Sequence, residues 1–193
     1  MKKIEEGVRL ILEALQQEFG LDLMNENFKD TPARVARAYT EIFSGLKDTQ
    51  VQIDKVLSSK FPSEGYDQMV ISSGNKVFSM CPHHLLPVEY DIDLAYIPSK
   101  KGFVLGISKL SRIAQILARR PVLQEQLTKE IGESLGRVEP EGTMVRVKGI
   151  HYCMRMRGVR QLASTITSYN SGSFKDNVAT REEFLSLIQR GTV

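Results

Sequence analysis

The sequence predicts an α+β fold in which helices pack on one face of an antiparallel sheet. Segments with apolar residues every three or four positions flank segments with apolar residues at every second position, which are the periods of helix and strand. Their order is two helices, a group of strands, two helices, a second group of strands and a closing helix. With 41% hydrophobic residues, the 193-residue chain can form a core of its own. We divide it into an N-terminal helical region, residues 1–50, and a sheet-bearing region, residues 51–193, which together form one structural unit.

Two amphipathic helices are predicted at the N-terminus. Through residues 4–19 apolar side chains recur at helical spacing, and Gly20 follows as a C-cap. The segment DTPARVARAYTEIFSGL predicts the second helix, with Thr31 as N-cap, a proline in the first helical position and Gly45 at the end. Residues 46–67 have no clear period and predict a connecting segment.

Strands are predicted from Met69 onward. MVIS and KVFSM are typical of short strands, and VEYDIDLAYIP alternates between large apolar and mostly acidic side chains. This alternation predicts an antiparallel sheet with one face exposed to water. Strands are predicted again over residues 143–157 and 161–168.

Three helices are predicted in the second half of the chain. One begins at SKLSRIAQILARR with Ser108 as N-cap, and the next begins at PVLQEQLTKEIGESLG with Pro121 at its start. The last has a capping box, formed by Thr180 and Glu183 three residues later.

Composition and charge argue against several classes of protein. No stretch approaches the roughly 18 apolar residues of a membrane span, and acidic residues interrupt the N-terminus where a signal peptide would be apolar. A net charge of +3, an aromatic fraction of 7% and the lack of a recognition motif do not favour nucleic-acid binding. We therefore expect a soluble, cytoplasmic protein.

All cysteines and histidines of the chain fall into two short clusters. SMCPHHLLP contains Cys81, His83 and His84, and GIHYCMRMRGVR contains His151 and Cys153. Zinc binds thiolate and imidazole in tetrahedral geometry, and Cys81, His84 and Cys153 are candidate ligands. Three protein ligands leave a position open for water, as in catalytic sites. The alternative is a closed structural site, with His83 or His151 as the fourth ligand.

The second cluster also predicts a line of functional side chains. If HYCMRMR is a strand, His151, Cys153, Arg155 and Arg157 share one face. At about 3.3 Å per residue, Cys153 and Arg157 are then about 13 Å apart, similar to the reach from a purine ring to the end of its triphosphate. We therefore expect a long ligand with an anionic end.

Two basic segments without acidic residues favour a polyphosphate ligand. Residues 146–160 contain five Lys or Arg residues and no Asp or Glu, although a solvated strand edge often has this composition. Lys109 and Arg112 lie in the first turn of a predicted helix, where the backbone N–H groups already favour phosphate.

These motifs together resemble one family. The chain is similar to GTP cyclohydrolase I through SMCPHHLLP, AYIP, GISKLSRI, ARRPVLQEQLT, HYCMRMRGVR and TREEF, in that order. The resemblance implies the T-fold, in which subunits join their antiparallel sheets into a β-barrel and form a toroidal decamer of two pentamers. It also implies the reaction, which opens the imidazole ring of GTP at C8, releases formate and yields 7,8-dihydroneopterin triphosphate.

The same resemblance implies roles for individual residues. The zinc ligands are Cys81, His84 and Cys153. The proton donors and acceptors are His83 at N7 of the base and His151 during ribose opening, with Ser108 near the ribose. The guanine contacts are Gln124 and Glu125, because a carboxylate can accept from both N1–H and the 2-amino group of guanine. The triphosphate contacts are Lys109, Arg112 and Arg157, helped by Arg34 from a neighbouring subunit.

Pro82 departs from the family pattern, which usually has Glu at this position. A Glu there could orient a metal ligand, and proline has neither the carboxylate nor an N–H. We expect a functional site, since every implied metal ligand is present. Two alternatives stay open: a hydrolase that stops at an opened-ring intermediate, and a zinc- and nucleotide-binding T-fold protein without catalysis.

Overall fold

The computed structural model describes residues 1–190 and divides after Ser44 into two units. The first unit, Met1–Ser44, is helical, and the second, from Gly45 onward, contains all the strands among the described residues. Within residues 1–190, no helix is long and apolar enough to cross a membrane.

Two α-helices make up most of the first unit. They are α1 at Lys2–Phe19 and α2 at Thr31–Ile42, with a 3-10 turn at Glu26–Phe28 between them. As predicted, Gly20 ends α1 in the left-handed conformation, with φ 72°. The limits predicted for α2 are shifted, because Thr31 is its first helical residue rather than its cap and the helix ends before Gly45.

The second unit is built around a four-stranded sheet. Its elements are α3 (Thr49–Leu57), β1 (Lys60–Pro62), β2 (Val70–Met80), β3 (Pro87–Ile97), β4 (Phe103–Leu105), α4 (Ser108–Ala118), α5 (Gln124–Gly136), β5 (Gly142–His151), α6 (Tyr152–Arg155), β6 (Thr165–Gly172), α7 (Ser173–Asp176) and α8 (Val178–Arg190). The sheet has the order β2-β3-β5-β6 with all neighbours antiparallel, and β1 pairs separately with β4. The α+β class and the antiparallel sheet are thus confirmed.

The two short strands predicted before Cys81 are one strand, β2, with a bulge. Its register against β3 shifts between Ser72 and Asn75, and Gly74 lies between them with φ 66°. The carboxylate of Asp93 on β3 accepts a hydrogen bond of 3.0 Å from the Gly74 N–H. The polar run in this segment therefore marks a bulge within a strand and not the end of one.

The apolar face of β3 is buried as the alternation predicts. Its fully buried residues are Val88, Tyr90, Ile92, Leu94 and Tyr96. They form one core cluster with apolar residues of α4 and α5, including Leu110, Ile113, Leu127 and Ile131. This face of the sheet positions α5 beside the strand ends that carry the site described below.

The opposite face of the sheet is only partly exposed, so the prediction of helices on one face alone is wrong. Asp93 on this face is 3% exposed, and its charge is balanced by an ion pair with Arg146 of β5. Ala95 lies in a second apolar cluster with Phe174 of α7 and Phe184 of α8. An acidic residue in the alternating pattern predicts a face exposed to water, but a carboxylate in an ion pair can be buried.

Two predicted helix starts are corrected by the backbone. Ser108 is the first residue of α4, and Ile107 occupies the N-cap position without a side-chain hydrogen bond. Pro121 precedes α5 and forms a bridge with the end of β2, so the helix begins only at Gln124. Gln124 consequently lies in the first turn of α5.

Two further differences concern α3 and α8. The segment 46–67, predicted as a connecting segment without a clear period, contains α3, a nine-residue helix with three buried residues, which is too short to give a clear period. Thr180 lies inside α8 rather than capping it. The Asn177 side chain instead accepts a hydrogen bond from the Ala179 N–H at 2.9 Å, which fulfils the capping role.

Gly132 on α5 is required by close packing against β6. A Cβ atom at this position would overlap the ring of Tyr169. Overpacking costs about 1–3 kcal/mol, against a gain in helix propensity of about 1 kcal/mol. We therefore expect Gly132→Ala to lower the melting temperature measured by calorimetry. Gly136→Ala in the same helix is the control, because a Cβ there meets nothing within 4 Å; equal melting temperatures would contradict the packing argument.

Candidate metal centre and active site

The connection between β2 and β3, residues 81–86, carries the first cluster. Backbone hydrogen bonds of 2.9 Å between Cys81 and the last two residues of the segment close a tight turn. Cys81 is buried, whereas His83 and His84 are exposed. The Cys81 Sγ lies 3.9 Å from His83 Nδ1 and 3.7 Å from His84 Nδ1. The turn therefore presents one thiol and two imidazoles at one end of the sheet.

The second cluster does not continue the strand as predicted. β5 ends at His151, opposite Val88, and β3 begins one residue earlier with Pro87. Proline has no N–H for a ladder, so β5 has no partner for a further extension. The chain instead forms the helical turn α6, Tyr152–Arg155. The strand predicted over residues 143–157 is wrong beyond His151, and so is the line of four functional side chains on one strand face.

The arginines of this segment point to different partners. The Arg155 Nη2 donates to the Leu162 carbonyl at 3.2 Å, in the connection to β6. The Arg157 Nη1 lies 2.6 Å from His84 Nε2. Because a guanidinium can only donate, His84 Nε2 is the acceptor, and Nδ1 is the ring nitrogen that faces Cys81.

Cys153, in the helical turn, completes a group of three possible metal ligands. The ligand atoms of Cys81, His84 and Cys153 all lie within 4.8 Å of one another. Tetrahedral zinc, with Zn–S of about 2.3 Å and Zn–N of about 2.0 Å, places sulfur and nitrogen about 3.5 Å apart. The 3.7 Å between Cys81 Sγ and His84 Nδ1 fits this spacing. Two sulfurs and one imidazole are a donor set suited to zinc.

The electrostatics of the group also fit a cation. Burial, and then the neighbouring Cys81, raise the pKa of the Cys153 thiol, whereas Arg157 lowers it. A divalent cation bound by the group would supply the positive charge that the thiolate form of Cys153 lacks in this surrounding.

His151 is held between the sheet and α5. Its Nε2 lies 2.8 Å from the Gln124 Oε1, and its ring packs edge-on against Tyr90 with centroids 6.0 Å apart. Burial lowers the pKa of His151, against a smaller opposing effect of the Glu125 carboxylate. Burial therefore favours the neutral form of this imidazole.

Gln124 lies in a buried hydrogen-bond network that was not predicted from the sequence. The Gln124 Nε2 bonds to Thr167 Oγ1 at 3.2 Å, and Thr167 in turn bonds to Thr128 Oγ1 at 2.6 Å. Gln124 and Thr128 lie on the buried face of α5, in line with Leu127 and Ile131. Polar residues at apolar positions of an amphipathic helix are the signal that could have revealed this network.

A cavity of about 220 Å³ brings the two clusters and α5 together. Its lining includes the predicted residues Cys81, His83, His84, Gln124, Glu125, His151 and Cys153, together with Pro82 and Thr165. Pockets that enclose a whole small ligand measure roughly 300–1,000 Å³. The cavity can therefore hold only one end of an extended ligand.

Other predicted site residues lie outside this cavity. Ser108, Lys109 and Arg112 are in the first turns of α4 and are not part of its lining. Arg157 contacts His84 but also does not line the cavity. Arg34 belongs to α2 of the first unit, where it forms an exposed ion pair with Asp30 at 3.5 Å.

A three-ligand metal group beside two further histidines, in a cavity at the end of a sheet, is the arrangement of a metal-dependent hydrolase. Comparison with known proteins identifies the family. The family model described as GTP cyclohydrolase I matches residues 4–189, and the chain belongs to this family. The resemblance seen in the motifs is thereby confirmed.

Relatives named GTP cyclohydrolase 1 match along nearly their whole length. The protein of Pelotomaculum thermopropionicum is 46% identical over 190 residues, which cover 97% of this chain and 96% of the relative. That of Desulforamulus reducens is 45% identical, with 98% of both chains covered. That of Bacillus subtilis is 42% identical, with 98% of this chain and 96% of the relative covered.

Proposed function

We propose that the chain is a zinc-dependent GTP cyclohydrolase I. It opens the imidazole ring of GTP at C8, releases formate and rearranges the product to 7,8-dihydroneopterin triphosphate, the first step of pterin and folate synthesis. The observation that carries this proposal is the group Cys81, His84 and Cys153 in one cavity with two further histidines, within a chain of this family.

The residues of the metal group would hold the zinc ion through two thiolates and His84. When bound, zinc supplies Lewis-acid activation of water near neutral pH. Because the group has three members among the described residues, it favours the open, catalytic site over the closed one. A proton on Nε2 accompanies metal binding at Nδ1, so Arg157 would then leave His84 and be available for an anionic group.

The other cavity residues act on the base of GTP. Glu125 is exposed at the cavity, where its carboxylate can accept from the N1–H and 2-amino group of guanine. His83, exposed beside the metal group, donates a proton to N7 as C8 is attacked. His151 moves protons during the later ribose steps. The triphosphate stays intact and positions C8.

The remaining predicted substrate-binding residues lie outside the cavity of the metal group. We propose that Ser108 near the ribose, and Lys109 and Arg112 at the triphosphate, act at a subunit interface together with Arg157 and with Arg34 from a neighbouring subunit. The cavity is too small for the whole substrate, which supports a site completed by another copy.

The sheet also supports this assembly. β2 and β6 are its edge strands, each paired on one side only among the described residues, and open edges can join to those of other subunits. We propose the T-fold barrel and a toroidal decamer of two pentamers. Cys81 and Cys153 are free thiols that must stay reduced to bind metal, which favours a cytoplasmic location.

The test is to incubate the purified, zinc-loaded protein with GTP and to assay formate and, after oxidation, fluorescent pterin in the same samples. We expect equal amounts of both products. Formate without pterin would replace the proposal by a hydrolase that stops at an opened-ring intermediate. Neither product, with zinc and GTP both retained, would overturn the enzyme in favour of a binding protein.

A further inference from the structure

We propose that Gln124 is a positioning residue that fixes the ring and the tautomer of His151, and that it does not contact the guanine base. The kinetic test of this proposal rests on the proposed function. The argument for the proposal rests on the hydrogen bonds between α5 and the sheet. Gln124 is 3% exposed, and every hydrogen-bonding group of its amide already has a partner within the protein.

The partners of Gln124 determine which way its amide points. The Nε2 lies 3.1 Å from the Val147 carbonyl and 3.0 Å from the Thr165 carbonyl, on neighbouring strands β5 and β6. Carbonyl oxygens can only accept, so the nitrogen must face the sheet. The oxygen Oε1 consequently faces His151, and an exchange of the two amide atoms would place an acceptor against two carbonyls.

The orientation of the amide in turn determines the tautomer of His151. The Gln124 Oε1 can only accept, so the His151 Nε2, 2.8 Å away, must carry a proton. In a neutral imidazole the other nitrogen, Nδ1, then has the free electron pair. No described residue is a hydrogen-bond partner of Nδ1. Nδ1 is therefore the ring nitrogen of His151 that is free to meet the substrate.

The network around the amide leaves little freedom for a different arrangement. The Thr128 hydroxyl donates to the backbone carbonyl of Gln124 at 2.7 Å, so it accepts from the Thr167 hydroxyl, which itself accepts from the side-chain amide of Gln124. On the sheet side, a Cβ at Gly149 would overlap the Gln124 Oε1 and lie 2.9 Å from the Tyr90 ring. The absence of a side chain at Gly149 is thus what allows Oε1 to reach His151.

Glu125 offers the contrast that separates positioning from substrate binding. It is the next residue of α5, lies at the same cavity and is exposed. Its carboxylate forms no hydrogen bond or ion pair with the described residues, so it is free for a ligand. A guanine contact at Gln124 would have to break bonds to both strands, whereas one at Glu125 would break none.

The kinetic test compares Gln124→Met with Glu125→Gln in the zinc-loaded protein with GTP. Loss of His151 positioning should lower kcat about 10- to 100-fold with KM unchanged. Loss of the guanine carboxylate should raise KM about 10- to 100-fold. A Gln124→Met variant that raises KM like Glu125→Gln and keeps kcat would overturn the proposal. Absence of products from the unsubstituted protein would refute the proposed function instead. The spectroscopic test would then decide whether Gln124 positions His151.

The spectroscopic test needs no turnover. The chain has three histidines, so solid-state NMR of ¹⁵N-histidine-labelled, zinc-loaded protein gives a small set of ring signals, and His151→Asn identifies those of His151. We expect the Nε2–H tautomer in the unsubstituted protein and loss of this single-tautomer signature in Gly149→Ala. That variant displaces the amide without removing it and serves as a second route if Gln124→Met does not fold. An Nδ1–H tautomer, or an unchanged signature in Gly149→Ala, would overturn the proposal.

Discussion

Replacing Cys153 with serine is expected to give a folded chain that retains no zinc and has lost turnover. Cys153 lies half-buried in a single helical turn at the edge of the core, so the smaller hydroxyl removes little packing. Serine, however, does not replace a thiolate as a zinc ligand. Metal activation contributes several kcal/mol to catalysis, and each 1.4 kcal/mol is a factor of ten, so kcat should fall by about 10³-fold or more.

Three measurements on Cys153→Ser distinguish its interpretations: zinc per chain, the melting temperature, and GTP retention. Tyr152→Phe is a matched control in the same helical turn, since Tyr152 is not in the metal group and should keep both zinc and turnover. A Cys153→Ser chain that unfolds would indicate a structural metal site. A chain that keeps zinc and turnover would remove Cys153 from the ligand set.

The part of the fold that sequence could predict is the part set by local periodicity. α4 and β3 each bury one regular face, and the patterns of α1, α4 and β3 placed these elements to within a residue or two. The same reasoning failed for HYCMRMR, whose alternation is as regular as that of β3. A strand needs a hydrogen-bonding partner, and β3 offers β5 none beyond its first residue, Pro87. The local pattern of HYCMRMR contains no information about where β3 begins.

The candidate site was predicted from residue chemistry more than from geometry. The helical turn α6 replaced the expected strand, yet Cys153 still lies within reach of Cys81 and His84. Their thiol and imidazole donors indicate a metal site whatever the local backbone conformation. The positioning of His151 was not predictable, because Gln124 bonds to carbonyls of two strands that are distant in sequence. Which copy supplies Lys109 and Arg112 also depends on contacts between chains.

Replacing His83 with asparagine is expected to differ from Cys153→Ser in its metal content: zinc is retained although turnover is lost. His83 is exposed and lies outside the three-member metal group, although its Nδ1 is only 3.9 Å from Cys81 Sγ. If it donates the proton to N7, its loss removes general acid catalysis, which contributes about 10²- to 10⁴-fold. The measurements are zinc per chain and formate release from GTP.

The same variant also decides between the open metal site and a site closed by His83, one of the two candidate fourth ligands. If His83 were the fourth ligand, His83→Asn would release or weaken zinc, as Cys153→Ser does. In the open site the two variants separate, because Cys153→Ser loses metal and His83→Asn loses only a proton donor. Leu85→Ala is a suitable control on the same turn, since Leu85 is exposed and outside both the metal group and the cavity lining. Zinc loss in His83→Asn, with zinc retained in Leu85→Ala, would favour the closed site. A closed site has no open ligand position for the water that the proposed reaction needs.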